Sequence, residues 1–276
     1  MKKLINRNPA VTTKWFLGLA PFIILLLMYW GASNARLAEN ENDKLLPSFS
    51  SFASAIDRMA FTEDKRSGDY LLWVDTYSSL KRLSLGIAIS AVLALILGVC
   101  NGAIPFVRAP LSPLVTAISL VPPMAILPIL FIVFGLGELA KVMLIVIGIA
   151  PFLIRDVQQR AIEIPQEQII KAQTLGANTW QIILRVILPQ IMPRLLAAVR
   201  LSLGAAWLFL IAAEAIAATD GLGYRIFLVR RYLAMDVILP YVLWITLLAF
   251  LMDFCLRKIS NVCYPWFHAQ QNAGGH

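Results

Sequence analysis

Six runs of apolar residues, at 15–31, 83–104, 111–134, 139–154, 195–217 and 237–256, set the limits on what this chain can become. A bilayer's hydrocarbon layer is crossed by about 20 apolar residues in a helix. Backbone polar groups inside that layer must be satisfied within the segment, so runs of this length fold as helices. The rest of the chain agrees. Of its 276 residues 59% are hydrophobic and 14% charged, too little charge to clothe a water-soluble domain of that size. The expected fold is an all-α polytopic membrane protein with six transmembrane helices. The third run is interrupted by Pro122, Pro123 and Pro128, and the fourth is short.

The net charge of +8 is read against the membrane before nucleic acid, which is not an expected partner. The N-terminal tail (Lys2, Lys3, Arg7, Lys14) and the polar segment 155–194 are both basic and close to run ends. That places both on the cytoplasmic side, with both termini cytoplasmic. The first run also has the basic start and the small residues, at 31–35, of a cleaved signal. Its length, and Tyr29 and Trp30 at its end, read instead as a span with an interfacial belt. Segment 32–79 carries Glu39, Glu41, Asp43, Asp57, Glu63, Asp64, Asp69 and Asp75, and reads as water-exposed. Cys100, Cys255 and Cys263 form no C-x-x-C pair and read as small buried apolar residues. Both histidines, His268 and His276, lie in the C-terminal tail, so neither histidine catalysis nor a histidine-ligated metal is expected.

Segment 155–194 has an internal plan. Pro165 favours a helix start, and 166–175 reads as a short helix with Ile169, Ile170 and Leu175 on one side. Gly176 accepts positive φ and ends it. Asn178 or Thr179 caps a second helix from Trp180, which Pro189 stops. Two short helices joined at a glycine make a knob on the cytoplasmic face. Physics alone leaves two readings open: a rigid element that docks into a partner's groove, or an amphipathic anchor in the membrane surface.

The residues here resemble the coupling motif of bacterial ABC importer permeases, which reads Glu-Ala-Ala, three residues, Gly, nine residues, Ile-x-Leu-Pro. Ala172, Gly176, Leu188 and Pro189 match at the right spacing, and Val186 stands for the isoleucine. Ile170 and Lys171 replace the Glu and the first Ala; Glu167, one turn earlier, is the nearest acid. The resemblance runs from about Leu80 to Arg257 and is closest to the nitrate/taurine/sulfonate/bicarbonate branch. It also rests on Ser79-Leu80-Lys81-Arg82-Leu83, Ile126-Leu127-Pro128, Phe134-Gly135-Leu136-Gly137-Glu138, Arg200-Leu201-Ser202-Leu203-Gly204, Ala213-Glu214 and Asp220-Gly221-Leu222-Gly223-Tyr224.

The resemblance implies a type I importer core of five helices, and it divides the chain into three parts. Residues 1–79 form the tail, first span and outer segment. Residues 80–258 form the transmembrane core with its coupling loop at 155–194, and 259–276 a cytoplasmic tail. It further implies a bacterial inner-membrane location, a second permease chain forming a homodimer, two cytoplasmic ATPase subunits and a periplasmic or lipid-anchored solute-binding protein. ATP and Mg then belong to the ATPase, and no cofactor or catalytic site is expected in this chain, which has no G-x-x-x-x-G-K-S/T loop. The solute is a nitrate-, sulfonate-, taurine- or bicarbonate-like compound, or alternatively a urea- or guanidine-type one; a stand-alone carrier or channel is the distant alternative. Ser119, Pro122 and Pro123 face the translocation path or a neighbouring span. Glu214 reads either as a path or gate residue or as a hydrogen-bonding tie to another span or to the Gly221–Gly223 turn. Gly98-x-x-x-Gly102 suits close helix packing. Lys81 and Arg82 reach toward head groups, and Arg225, Arg230 and Arg231 are outer charges.

Overall fold

The computed structural model describes residues 11–40, 44–65 and 68–267. The basic start at Lys2, Lys3 and Arg7, the acids Glu41 and Asp43, and His268 and His276 lie outside the described residues. All regular structure among the described residues is helical.

Helix α1 (Val11–Glu39) is almost wholly exposed along its apolar length, as a helix solvated by lipid is. It is tied to the body near its far end. The Tyr29 hydroxyl donates to the Pro47 carbonyl at 2.7 Å, Ser33 donates to Leu46 O at 3.0 Å, and the Tyr29 ring meets Phe49 and Phe52 of α2 (Phe49–Ile56). Ser48 caps α2, which runs on through a π turn to Phe61.

Helix α3 (Leu71–Leu93) continues through a π turn into α4 (Val99–Ala103), giving one apolar rod from Leu71 to Ala103. It starts twelve residues before the run at 83–104, so Asp75 and Ser79 belong to a membrane helix rather than to a wet loop. Helices α5 (Pro105–Ser119) and α6 (Pro123–Phe134) meet at 97°. Pro122 and Pro123 disfavour helical backbone at the residue before each, and Pro122 is extended. The third run is therefore two helices, a broken span or a re-entrant pair.

Helix α7 (Glu138–Ile162) contains the fourth run and is longer than that run suggests. It is the most enclosed element: Leu144, Ile145, Ile149, Leu153 and Val157 are buried against α3 and α10 (Leu188–Ala217). Among the described residues four helices are long and apolar enough to cross a membrane, or five with the bent pair as one span, against the six expected. The run outside that set is the fourth, carried by this central helix, which is charged at both ends and wrapped by the others. Lipid tails give apolar helices no hydrophobic drive to associate, so close contact must come from small residues. Gly98 and Gly102 supply it, lying against Val157 and Ala161, and Gly148 lies against the Phe209 ring.

After α8 (Gln166–Thr174) and α9 (Thr179–Ile182) the chain does not stop at Pro189. A π turn over Ile183–Ile187 leads directly into α10, and Thr179–Ala217 is one 39-residue helix. The reason is positional. Pro189 sits in the first turn after the π turn, where its missing N–H costs little and its fixed φ suits a helix. Helices α11 (Leu222–Arg230) and α12 (Met235–Cys263) complete the fold. Cys255 and Cys263 face outward and Cys100 is half-buried, so the cysteines are not all core residues.

Candidate functional site

Three places concentrate the polar side chains of this apolar molecule. The first is the corner between α7 and α10. Gly176 has φ +80° and nothing within 4 Å of where a Cβ would stand, so it turns the chain in open space. Asn178 caps α9 reciprocally: its side chain accepts from Gln181 N at 2.9 Å, and Gln181 Oε1 accepts from Asn178 N at 2.9 Å. Ile169 and Ala172 pack inward on the core, while Ile170, Leu175 (87% exposed) and Trp180 (65% exposed) point out. The side of α8 expected to gather Ile169, Ile170 and Leu175 is thus divided between core and surface. Glu167, Leu188 and Pro189 lie around the same corner; Glu167 and Pro189 are exposed and Leu188 half-buried. Behind it, Glu163 is paired with Arg160 at 3.1 Å, and the Arg160 hydrogen bond holds its carboxyl below the usual range.

The second is a cleft of about 570 Å³ between α5, the α5–α6 break and α7. Ser119 and Pro123 stand on its wall with Ser112, Thr116 and Arg155; Pro122 is the exposed extended residue of the break. Arg155 Nη1 donates to Ser119 Oγ at 2.9 Å across the cleft, and Ser119 Oγ donates to Thr116 O at 2.8 Å. Deeper in, Asn101 Nδ2 donates to Gln158 Oε1 at 2.5 Å and Gln158 Nε2 donates to Ser112 Oγ at 3.1 Å. This ladder joins α4, α7 and α5.

The third is a buried clasp at the opposite end of α10. Glu214, 0% exposed, accepts from Ser79 Oγ at 2.8 Å, Arg82 Nη1 at 2.8 Å and Gly223 N at 2.8 Å. Arg82, 3% exposed, also holds Glu138 at 2.5 Å and Asp220. Beside it Asp75 accepts from Arg225 Nε and from Gly221 N, and Tyr241 donates to it at 3.3 Å. Gly221, at φ +115°, passes so close that a Cβ would stand 2.5 Å from Glu214 Oε1. Of the two readings left open for Glu214, the geometry is that of the tie to another span and to the 221–223 turn. Arg82 does not reach head groups but sits inside the protein. Arg225 is likewise paired internally, while Arg230 lies over the Phe227 ring at 4.9 Å. Sequence reasoning missed Asp75, Ser79 and Arg82 as one group. Their spacing of four and three residues on α3 was the available signal.

Comparison with known proteins agrees with this architecture. Residues 86–263 match the model of the family described as "Binding-protein-dependent transport system inner membrane component". The taurine transport system permease protein TauC of Escherichia coli (strain K12) is 36% identical over 198 residues, covering 72% of each chain. A putative aliphatic sulfonates transport permease protein, SsuC of Bacillus subtilis (strain 168), is 30% identical over 68% of each chain. The nitrate import permease protein NrtB of Synechocystis is 22% identical over 73% of this chain and 74% of its own. In three dimensions a chain of the inward-facing MetNI methionine ABC transporter superposes with a TM-score of 0.62 at 23% identity, over 72% of this chain and 99% of that one. The fold is that of a type I ABC importer permease, and the chain belongs to the family of binding-protein-dependent transport system inner membrane components.

Proposed function

We propose that this chain forms the translocation path of an ATP-driven importer of small oxyanions, of the sulfonate, taurine, nitrate or bicarbonate kind. A solute-binding protein delivers the solute at the outer face, where the clasp lies. Two copies of the chain pair around the path, and each docks a cytoplasmic ATPase that holds ATP and Mg. Both termini are cytoplasmic. The reading rests above all on the corner around Gly176. An exposed apolar knob of Ile170, Leu175 and Trp180 stands on a capped turn at the end of a 39-residue helix. Exposed apolar surface rimmed by Glu167, Lys171 and Arg185 suits a protein groove, and the rigid helix behind it carries movement into the membrane. Ala172, Gly176, Leu188 and Pro189 shape that element. Ser119, Pro122 and Pro123 belong to the path, at the broken span where irregular backbone meets a cavity.

The test is purification in mild detergent followed by reconstitution. The chain should bring down a P-loop ATPase, and vesicles with ATPase and binding protein should take up labelled taurine or nitrate only with ATP. Recovery without any ATPase, or uptake indifferent to ATP, overturns the reading.

A further inference from the structure

We propose that the α5–α7 cleft is an oxyanion-binding site within the membrane domain, with Arg155 as its anion-recognising group and Ser119 as the residue that positions it. The inference deepens the functional reading above and rests on it for the identity of the cargo.

Arg155 stands on α7, and Ile147, more than two turns earlier on the same helix, lines the same cleft. Its wall therefore extends about 12 Å along α7 at 1.5 Å per residue. Among the described residues no carboxylate comes within ion-pairing distance of Arg155; its hydrogen bond goes to Ser119 Oγ. Every arginine of the outer clasp, by contrast, is matched to acids. Ser119 has already committed its proton to the Thr116 carbonyl, so its oxygen can only accept, and it holds the guanidinium across the cleft. The remaining guanidinium N–H groups are left for a ligand, and their planar fork fits two oxygens of a nitrate, sulfonate or carboxylate. The hydroxyls of Ser112 and Thr116 share the wall. Asp156 also lies on it and would repel an anion, but Arg160 is 3.6 Å away and offsets its charge. A cleft of about 570 Å³ has ample room for a solute of that size with water.

The same chemistry would hold the phosphate of a cytoplasmic-leaflet lipid, so the experiment must separate the two sources. The full chain in delipidated detergent is treated with phenylglyoxal, and labelling of Arg155 and of Arg185, exposed on the π turn, is mapped by mass spectrometry. The expected result is that sodium nitrate and sodium methanesulfonate slow labelling of Arg155 several-fold more than that of Arg185. Sodium chloride at equal ionic strength, urea and guanidinium should not. Ser119→Ala should weaken that protection, while Ser54→Ala, on the far α2, should not. Equal protection at both arginines, or none, overturns the proposal. So does protection by phosphatidylglycerol alone, which would make the occupant a lipid. In reconstituted vesicles Arg155→Gln should lower oxyanion uptake about tenfold or more, with Arg155→Lys intermediate. The labelling needs neither ATPase nor binding protein. Protection at Arg155 with no ATP-dependent uptake by the wild type would therefore fail the importer reading alone. Wild-type uptake without protection would fail this one alone.

Discussion

Arg82 and Glu214 should not be equivalent when each is removed. Among the described residues Arg82 is the sole cation on the Glu214 carboxylate, and it also holds Glu138 and Asp220. Arg82→Gln therefore leaves a carboxylate with no exposure and no counter-charge. Breaking a buried pair in this way costs about 3–5 kcal/mol. Glu214→Gln keeps the shape and leaves the guanidinium two other acids. Its cost is that of weakened hydrogen bonds from Ser79, Arg82 and Gly223, about 1–3 kcal/mol. The double variant should be milder than the sum, because the orphaned charge is gone. The assay is thermal unfolding in one detergent, followed by size-exclusion fluorescence. At about 2–4 °C per kcal/mol for a chain of this size, Arg82→Gln should melt on the order of 10 °C lower. Glu214→Gln should shift about half as far or less. Glu214→Gln should also keep ATP-dependent uptake per folded molecule. A Glu214 variant that folds normally but transports nothing would refute the structural role, as would a Glu214→Gln shift larger than that of Arg82→Gln.

Gly176→Val forces a β-branched residue to φ +80°, at a cost of at least about 1–2 kcal/mol. Since the site has room for the side chain, the corner should re-form rather than the protein unfold; uptake should fall while ATPase activity persists, and unchanged values of both would sink the coupling assignment. Gly102→Leu drives atoms into Ala161 and the Gln158 carbonyl, and should cost more than about 1–3 kcal/mol in thermal stability, whereas Gly18→Leu, with open space around it, should be silent in the same melt. Asn178→Ala removes one half of the capping box and should destabilise the corner by about 1 kcal/mol, seen as faster amide exchange at 179–181 with little change in global melting.

The sequence carried the fold well where hydrophobic pattern is the determinant. The apolar runs all became helices, and the Pro122–Pro123 break, the α8 start after Pro165 and the positive φ at Gly176 stand where local chemistry puts them. It carried less wherever a residue's meaning depends on what packs against it. Pro189 reads as a stop in one dimension, yet the π turn before it places the ring where a helix tolerates proline. Asp75, Ser79 and Arg82 read as a wet edge because they are polar. They are buried because residues more than a hundred positions away (Glu214, Asp220, Arg225) arrive with the opposite charge or a matching hydrogen bond. Lining of the α5–α7 cleft was half legible: Ser119 and Pro123 follow from the broken span, but Arg155 looked like the basic edge of a loop.

The rod from Thr179 to Ala217 is about 58 Å long at 1.5 Å per residue. It carries the Gly176 corner at one end and Glu214 at the other, with Leu195, Ala198 and Val199 buried between them. Held in its middle and exposed on one side of its foot at Trp180 and Leu184, it has the form of a lever with the clasp on its far arm. A sideways push of a few ångströms at Trp180 must reappear near Glu214 in the opposite direction, unless the π turn at Ile183–Ile187 takes up the bend. That turn is therefore the element whose stiffness sets how much of any stroke at the knob reaches the clasp.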